Sequence, residues 1–158
     1  MTLKIAVSTT SRDNHRLHPK RSRISPLARE LLHSGMTPAE LRKRTAAFAR
    51  TIVALTNPLL RRVETIDVAR QLRRAALSTA SNYRAACRAK SRKHFTSKIA
   101  DVLEEADEAQ GWLETLRDCG LVRPGALDGH LQEAEELVRI FTASHGTSRG
   151  NNSRGSGD

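Results

Sequence analysis

Apolar residues recur every three or four positions in four separate stretches of the chain, which predicts four amphipathic helices. The first is marked at its start by Thr37 as the cap, Pro38 in the first turn and Glu40 three residues after the cap. Asn57 and Pro58 are expected to end it. The residues predicted to share its apolar face are Leu41, Phe48, Ile52 and Leu55.

The second helix is predicted from about Thr65, with Asp67 in its first turn, to about Ala89. The third is capped by Ser91 and is expected to stop at Gly120. The expected apolar face of the second consists of Ala69, Leu72, Ala76, Ala80, Tyr83 and Cys87. That of the third consists of Phe95, Ile99, Val102, Ala106, Ala109, Leu113 and Leu116.

The fourth helix is predicted to begin around Pro124 and to bury Leu127, Leu131, Ala134, Val138 and Phe141. Four amphipathic helices joined by short connections each need a partner for one face. The predicted fold is therefore all-α, an up-and-down antiparallel four-helix bundle over residues 36–145.

The two ends of the chain show no apolar period. Residues 1–35 contain a basic, proline-containing run and are expected to form a disordered extension. Residues 146–158 are rich in Gly, Ser and Asn, which is typical of a flexible tail.

Composition agrees with a helical, cytoplasmic protein. Aromatic residues make up 3% of the chain, too few for typical strands, and no apolar run is long enough to span a membrane. Cys87 and Cys119 lie on or beside apolar faces and outside any CxxC pair, so we expect reduced packing thiols.

Charge is distributed unevenly along the chain. The net charge is +10, but residues 1–99 hold 22 Lys or Arg against 5 Asp or Glu, and residues 100–158 hold 5 against 12. A basic surface of this kind attracts phosphate backbones, and it also attracts the acidic part of another copy of the same protein.

One side of the second helix carries a guanidinium stripe. Its five arginines fall within an arc of about 100°, and Lys90, Arg92 and Lys93 extend it. Such a stripe could bind nucleic-acid phosphates, bridge to carboxylates of a neighbouring subunit, or be solvated; without interleaved aromatic residues, any nucleic-acid contact would be to the backbone. The stripe comprises Arg70, Arg73, Arg74, Arg84 and Arg88.

Neither a metal site nor a catalytic centre is predicted, and no cofactor is expected. The acidic cluster Glu104, Glu105, Asp107 and Glu108 lacks the Glu-x-x-His pairs of metal-binding bundles. Ser78, Thr79 and Ser81 have no glycine elbow, so we expect them to pack or to hydrogen-bond helix carbonyls.

Two side chains are expected to have structural roles. Glu105 lies by helical phase beside Trp112, and is predicted to be half-buried and paired with an arginine or Asn82 of the second helix. Trp112 is predicted to anchor the core or a subunit contact. With Asn82 and Tyr83 these residues form the predicted structural or interface set.

Several motifs between Met36 and residue 142 resemble those of a bacterial four-helix-bundle family, named after proteins encoded in intervening sequences of 23S ribosomal RNA genes. These motifs are QLRRAALSTASN at 71–82, NYRAACRAKS at 82–91, the Phe95 and Lys98 spacing, EEADE at 104–108, and WLETL followed by CGLV. Many family members have Ile-Ala-Glu-Gly after the asparagine, where this chain has Tyr83, Arg84, Ala85 and Ala86, so the role of that glutamate does not transfer.

The resemblance implies a non-enzymatic bundle that assembles into a ring, with a pentamer as the expected size. It also implies a relationship to the accessory variability determinant proteins of diversity-generating retroelements, and hence nucleic acid and a reverse transcriptase as partners. Similar proteins begin near Met36, which suggests that Met36 is a true or alternative start and that residues 1–35 are not needed for the fold.

Overall fold

The computed structural model describes residues 36–150, which form four helices in sequence order. They are α1 (Pro38–Leu59), α2 (Ile66–Ala86), α3 (Arg92–Asp118) and α4 (Asp128–Gly150). Sequential helices pack against one another, and α1 also contacts α4 over a smaller area. The predicted all-α four-helix fold is confirmed.

The predicted start signals of α1 and α3 are present as hydrogen bonds. Thr37 Oγ1 accepts from the backbone N–H of Glu40, and the Glu40 carboxylate accepts from the backbone N–H of Thr37, which completes a capping box. Ser91 Oγ accepts from the N–H of His94 at the start of α3. Gly120 ends the turn after α3 with a φ of 63°, a conformation that favours glycine.

The core is built from the faces that periodicity predicted. Its largest fully buried side chains include one or more from every helix, and Tyr83 packs against Phe141 with ring centroids 5.5 Å apart. Leu55, Leu131 and Val138 are only partly buried, whereas Leu137, which was not predicted, is fully buried. The predicted residues that are buried include Leu41, Phe48, Ile52, Leu72, Ile99, Leu113 and Phe141.

The hydroxyl of Tyr83 donates a 3.4 Å hydrogen bond to the carbonyl of Pro38. Because Tyr83 lies in the last turn of α2 and Pro38 in the first turn of α1, this contact shows that the two helices run antiparallel. The start of α1, the end of α2 and the start of α3 therefore lie at one end of the bundle.

Arg44 links α1 to α4. Its Nε lies 2.7 Å from Oε1 of Glu133, and its Nη2 bonds both Glu133 and Glu136. These carboxylates raise the pKa of Arg44, and Arg44 in turn lowers the pKa of Glu136. One guanidinium therefore connects the two least extensively packed neighbours.

The ends of α1 and α4 differ from the prediction. The helix α1 continues through Pro58 and ends one residue later, at Leu59, so the proline that was expected to end it lies inside its last turn. The helix α4 begins at Asp128, after a turn in which Gly125 has a φ of 77°, and not near Pro124.

The helix α4 also extends past residue 145, where a flexible tail was expected. Ser144 and Ser148 are buried, and each hydroxyl donates to a carbonyl of its own helix, at 2.8 Å in both cases. Small hydroxyl side chains can thus continue a packing face when their hydrogen bonds are made locally. The predicted extension at 1–35 and the segment 151–158 lie outside the described residues.

The cysteines are free thiols, but both are exposed, which contradicts the predicted packing role. Cys87 is the C-cap of α2 and keeps an α-helical backbone conformation, so its exposure comes from its place at the end of the helix and not from a change of helical phase. Among the helices described here, none has the length and apolar character needed to cross a membrane.

Candidate nucleic-acid interface

The predicted guanidinium stripe of α2 divides into residues with different environments. Arg73 lies in the seam between α1 and α2, where its Nε donates to Thr56 Oγ1 at 2.9 Å. Its Nη2 donates to the carbonyl of Val53 at 3.0 Å and to Asn57 Oδ1 at 2.7 Å. Arg73 is therefore a structural tie between helices, and this corrects its place in an exposed stripe.

Arg74 is engaged by α3 of the same chain. Its Nη2 lies 2.7 Å from Oε1 and 2.9 Å from Oε2 of Glu108, and its Nε donates to Gln71. Arg70 makes a long contact of 3.7 Å to Asp67 and remains largely exposed. The predicted pairing of stripe arginines with α3 carboxylates thus occurs within one chain at Arg74.

The other five cations of the predicted interface lie together around the turn from α2 to α3. All five are exposed, and within residues 36–150 none makes an ion pair or a side-chain hydrogen bond. We call this group the cationic end. It comprises Arg84, Arg88, Lys90, Arg92 and Lys93.

Two residues of the cationic end lie at a helix N-terminus, where their positive charge is electrostatically unfavourable. Arg92 and Lys93 are the first residues of α3, whose first turn contains no acidic residue. A positive charge at a helix N-terminus faces the positive end of the helix dipole, an effect of about 0.3–1 kcal/mol per charge. An anion bound there would relieve this repulsion and could accept hydrogen bonds from the free N–H groups of the first turn.

The antiparallel topology adds two cations that sequence reasoning missed. Arg42 and Lys43 are exposed residues near the start of α1, at the same end of the bundle. Arg42 is close enough to Tyr83 to act electrostatically on its pKa, which burial raises. The antiparallel arrangement itself was the signal, because it brings the starts of α1 and α3 to one end.

Glu105 lies at the α2–α3 packing surface, partly buried as predicted. Its Oε2 is buried without a hydrogen-bond partner in the described part of the chain. Of the two predicted partners, an arginine or Asn82, it is an arginine, Arg74, that acts electrostatically on Glu105. Burial raises the pKa of Glu105, Arg74 opposes that shift, and Glu108 and Glu104 add to it.

The remaining predicted structural residues contact their own chain. Tyr83 is fully buried. Trp112 packs on the core from a partly buried position, and its Nε1 donates to Glu108 at 3.1 Å. Asn82 is partly buried on α2.

The hydroxyls considered as nucleophiles have structural environments. Thr79 is buried and donates to the carbonyl of Ala75 at 2.9 Å, the local bond predicted for this segment. Ser81 is exposed on the outer side of α2. What the geometry provides is an exposed array of cations at one end of a rigid bundle.

A family model described as "23S rRNA-intervening sequence protein" matches residues 39–143, which is most of the described bundle. The chain belongs to this family. No curated protein matches it.

The fold is similar to a crystal structure from Bacteroides thetaiotaomicron, described as a protein of unknown function from the S23 ribosomal protein family. The two chains share 25% sequence identity with a TM-score of 0.63, and the match covers 68% of this chain and 96% of the other. This member of the family therefore shares its four-helix fold with a solved structure.

Proposed function

We propose that this protein is a non-enzymatic, oligomeric accessory protein that binds the backbone of RNA or DNA through the cationic end. The observation that supports the proposal is the set of five exposed cations at the α2–α3 turn without carboxylate partners among the described residues. Lys and Arg side chains of this kind bind phosphates and release the counterions condensed on a polyanion.

The place of this site differs from the interface suggested by the sequence. Arg73 and Arg74 have partners within the chain, so phosphate contacts centre on the end of the bundle and not on the length of α2. Arg70 and the α1 residues Arg42 and Lys43 would supply outer contacts. Binding of this kind reads backbone charge and is independent of base sequence.

The matched experiment removes equal charge at two places. The variant Arg84→Gln, Arg88→Gln, Lys90→Gln neutralises the cationic end, and Arg50→Gln, Arg61→Gln, Arg123→Gln neutralises three exposed arginines elsewhere. Fluorescence anisotropy with labelled single-stranded and double-stranded RNA and DNA of mixed sequence gives the affinity, and circular dichroism verifies the fold. Fragments of 23S ribosomal RNA are a further probe, suggested by the family.

The proposal expects the first variant to bind at least about tenfold more weakly, and the control to change by less than about threefold, because local phosphate contacts dominate backbone binding. Equal losses in both variants would show a diffuse effect of net charge. Undetectable binding by the unaltered protein to every probe would refute nucleic-acid binding.

A second candidate is a self-assembling scaffold in which cations of one subunit pair with α3 carboxylates of the next. The observation in its favour is that Glu104 and Asp107 are exposed on α3 and make no ion pair within residues 36–150. The molar mass of the same two variants, measured by light scattering, distinguishes the scaffold from the nucleic-acid-binding protein. A scaffold loses molar mass when the cationic end is neutralised, whereas the nucleic-acid reading keeps it.

Assembly into a ring, a pentameric size, and contact with a reverse transcriptase stay predictions from the family resemblance. The molar mass of the purified protein tests the ring directly. A monomer at micromolar concentration would contradict it.

A further inference from the structure

A groove with an acidic rim lies between α3 and α4. It has a volume of about 390 Å³ and is lined by apolar atoms of Ala100, Leu103 and Val138, with Glu104, Asp107 and His145 also contributing. Glu104 and Asp107 are exposed and make no ion pair with any described residue. The groove therefore offers an apolar floor beside two uncompensated carboxylates.

The groove lies near the middle of the bundle, towards the end where the described chain begins. Its residues come from the middle of α3 and from the middle and second half of α4, and the Tyr83 contact places the start of α1 at the nearer end. The chain preceding Met36 adds 35 residues, with seven Lys or Arg against two Asp or Glu. A basic segment is thus tethered beside an acidic groove.

We propose that this groove is the docking site of the chain's own N-terminal segment, residues 16–32. In a helical turn Leu27 and Leu31 share one face by their spacing of four, which suits the floor formed by Leu103 and Val138. Arginines of the segment then meet Glu104 and Asp107. They include Arg16, Arg21, Arg23 and Arg29.

Weak contacts are sufficient to hold the N-terminal segment in the groove, because the segment is covalently attached to the bundle. Each exposed ion pair contributes at most about 1 kcal/mol, but a short linker gives an effective concentration on the order of 1 mM. The α3 residues of the groove lie about 12–22 Å along the helix from its start. The chain from Leu31 to Pro38 can extend to about 24 Å, which is enough for Leu31 to reach the nearer part of the groove. Docking held by exposed charges weakens as salt rises.

The experiment measures trypsin cleavage of the full chain without nucleic acid, so its outcome is independent of the proposed function. Mass spectrometry follows the rates of cleavage after Arg21, Arg23 and Arg29 at low salt. The test variant is Glu104→Gln, Asp107→Asn, and the matched control is Glu64→Gln, Asp118→Asn, which removes two exposed carboxylates near the opposite end. Circular dichroism verifies that each variant is folded.

The proposal expects cleavage in the test variant to be at least about threefold faster than in the unaltered protein, with no change in the control. High salt should remove the difference. Equal rates in all three proteins, or equal acceleration in both variants, would overturn the proposal. Protection that disappears on dilution would also overturn it, because the occupant would then be a second copy.

Discussion

Arg73 Nη2 of α2 lies 2.7 Å from Oδ1 of Asn57 in the last turns of α1. The Arg73 guanidinium also bonds Thr56 Oγ1 and the carbonyl of Val53, so this partly buried group links α1 and α2 through hydrogen bonds. The sequence suggested that the Arg73 guanidinium could bind a ligand, but in the structure its hydrogen bonds are made within the chain.

The variant Arg73→Ala should lower the free energy of unfolding by about 2 kcal/mol, because it leaves hydrogen-bonding groups in the α1–α2 seam without their partner. Urea denaturation measures this change. The control Arg70→Ala, an exposed neighbour with only a 3.7 Å contact to Asp67, should change stability by less than about 0.5 kcal/mol. Equal effects would contradict the division of the stripe.

The Arg74–Glu108 pair should contribute modestly to stability. A double-mutant cycle with Arg74→Ala and Glu108→Ala should give a coupling of about 0.5 kcal/mol at low salt, since Arg74 is 56% exposed. The coupling should decrease as salt rises. A coupling near zero at low salt would mean that the pair does not persist in solution.

Glu105 should destabilise the bundle at neutral pH. Its pKa is raised in the folded state by burial, so the folded protein holds this proton more tightly than the unfolded chain does. Stability is therefore greatest below the unfolded pKa, and it falls as pH rises through the raised folded pKa.

The variant Glu105→Gln should remove that pH dependence and stabilise the protein at pH 7 by about 1 kcal/mol, the order of the cost of a buried polar atom without a partner. Thermal unfolding across pH 4–8 is the measurement. The control is Glu135→Gln, an exposed carboxylate on α4, and it should keep the pH dependence of the unaltered protein. An equal pH slope in Glu105→Gln and the unaltered protein would exclude this role.

Arg44 should stabilise the α1–α4 contact. The variant Arg44→Ala should cost about 2 kcal/mol at pH 7, the range for hydrogen bonds to charged groups. Arg44 lowers the pKa of Glu136, so its stabilising effect is present above the ordinary glutamate pKa and is lost as pH falls through the lowered one. Urea midpoints of the two proteins should therefore converge as pH falls below the ordinary glutamate pKa, and a constant difference would contradict the ionic link.

Periodicity predicted most of the core because each helix buries one continuous face. It failed at Cys87, which is the C-cap of α2 and is exposed at the end of the helix. It also failed at Ser144 and Ser148, because polar side chains gave no sign that the helix continues there. Both errors concern helix ends, where turn geometry and local hydrogen bonds outweigh the hydrophobic pattern.

The predicted interface could be found in sequence only as a set of cations on one helical arc. Arg73 lies at the edge of that arc, and whether it meets solvent or α1 depends on how the helices pack, which one helix cannot show. The grouping of Arg42 with Arg92 could have been found, because the predicted antiparallel topology brings the starts of α1 and α3 to one end. The sequence therefore predicted which residues are cationic, but only the packed bundle shows which of them are exposed and free to bind phosphate.

The most direct test of the cationic end is the salt dependence of nucleic-acid affinity. For a backbone binder, log K falls linearly with log salt by about 0.7–0.9 per neutralised phosphate. The variant Arg84→Gln, Arg88→Gln, Lys90→Gln should therefore have a slope shallower by about 2 than the unaltered protein, with the molar mass unchanged. An identical slope in the two proteins would contradict phosphate binding at the α2–α3 turn.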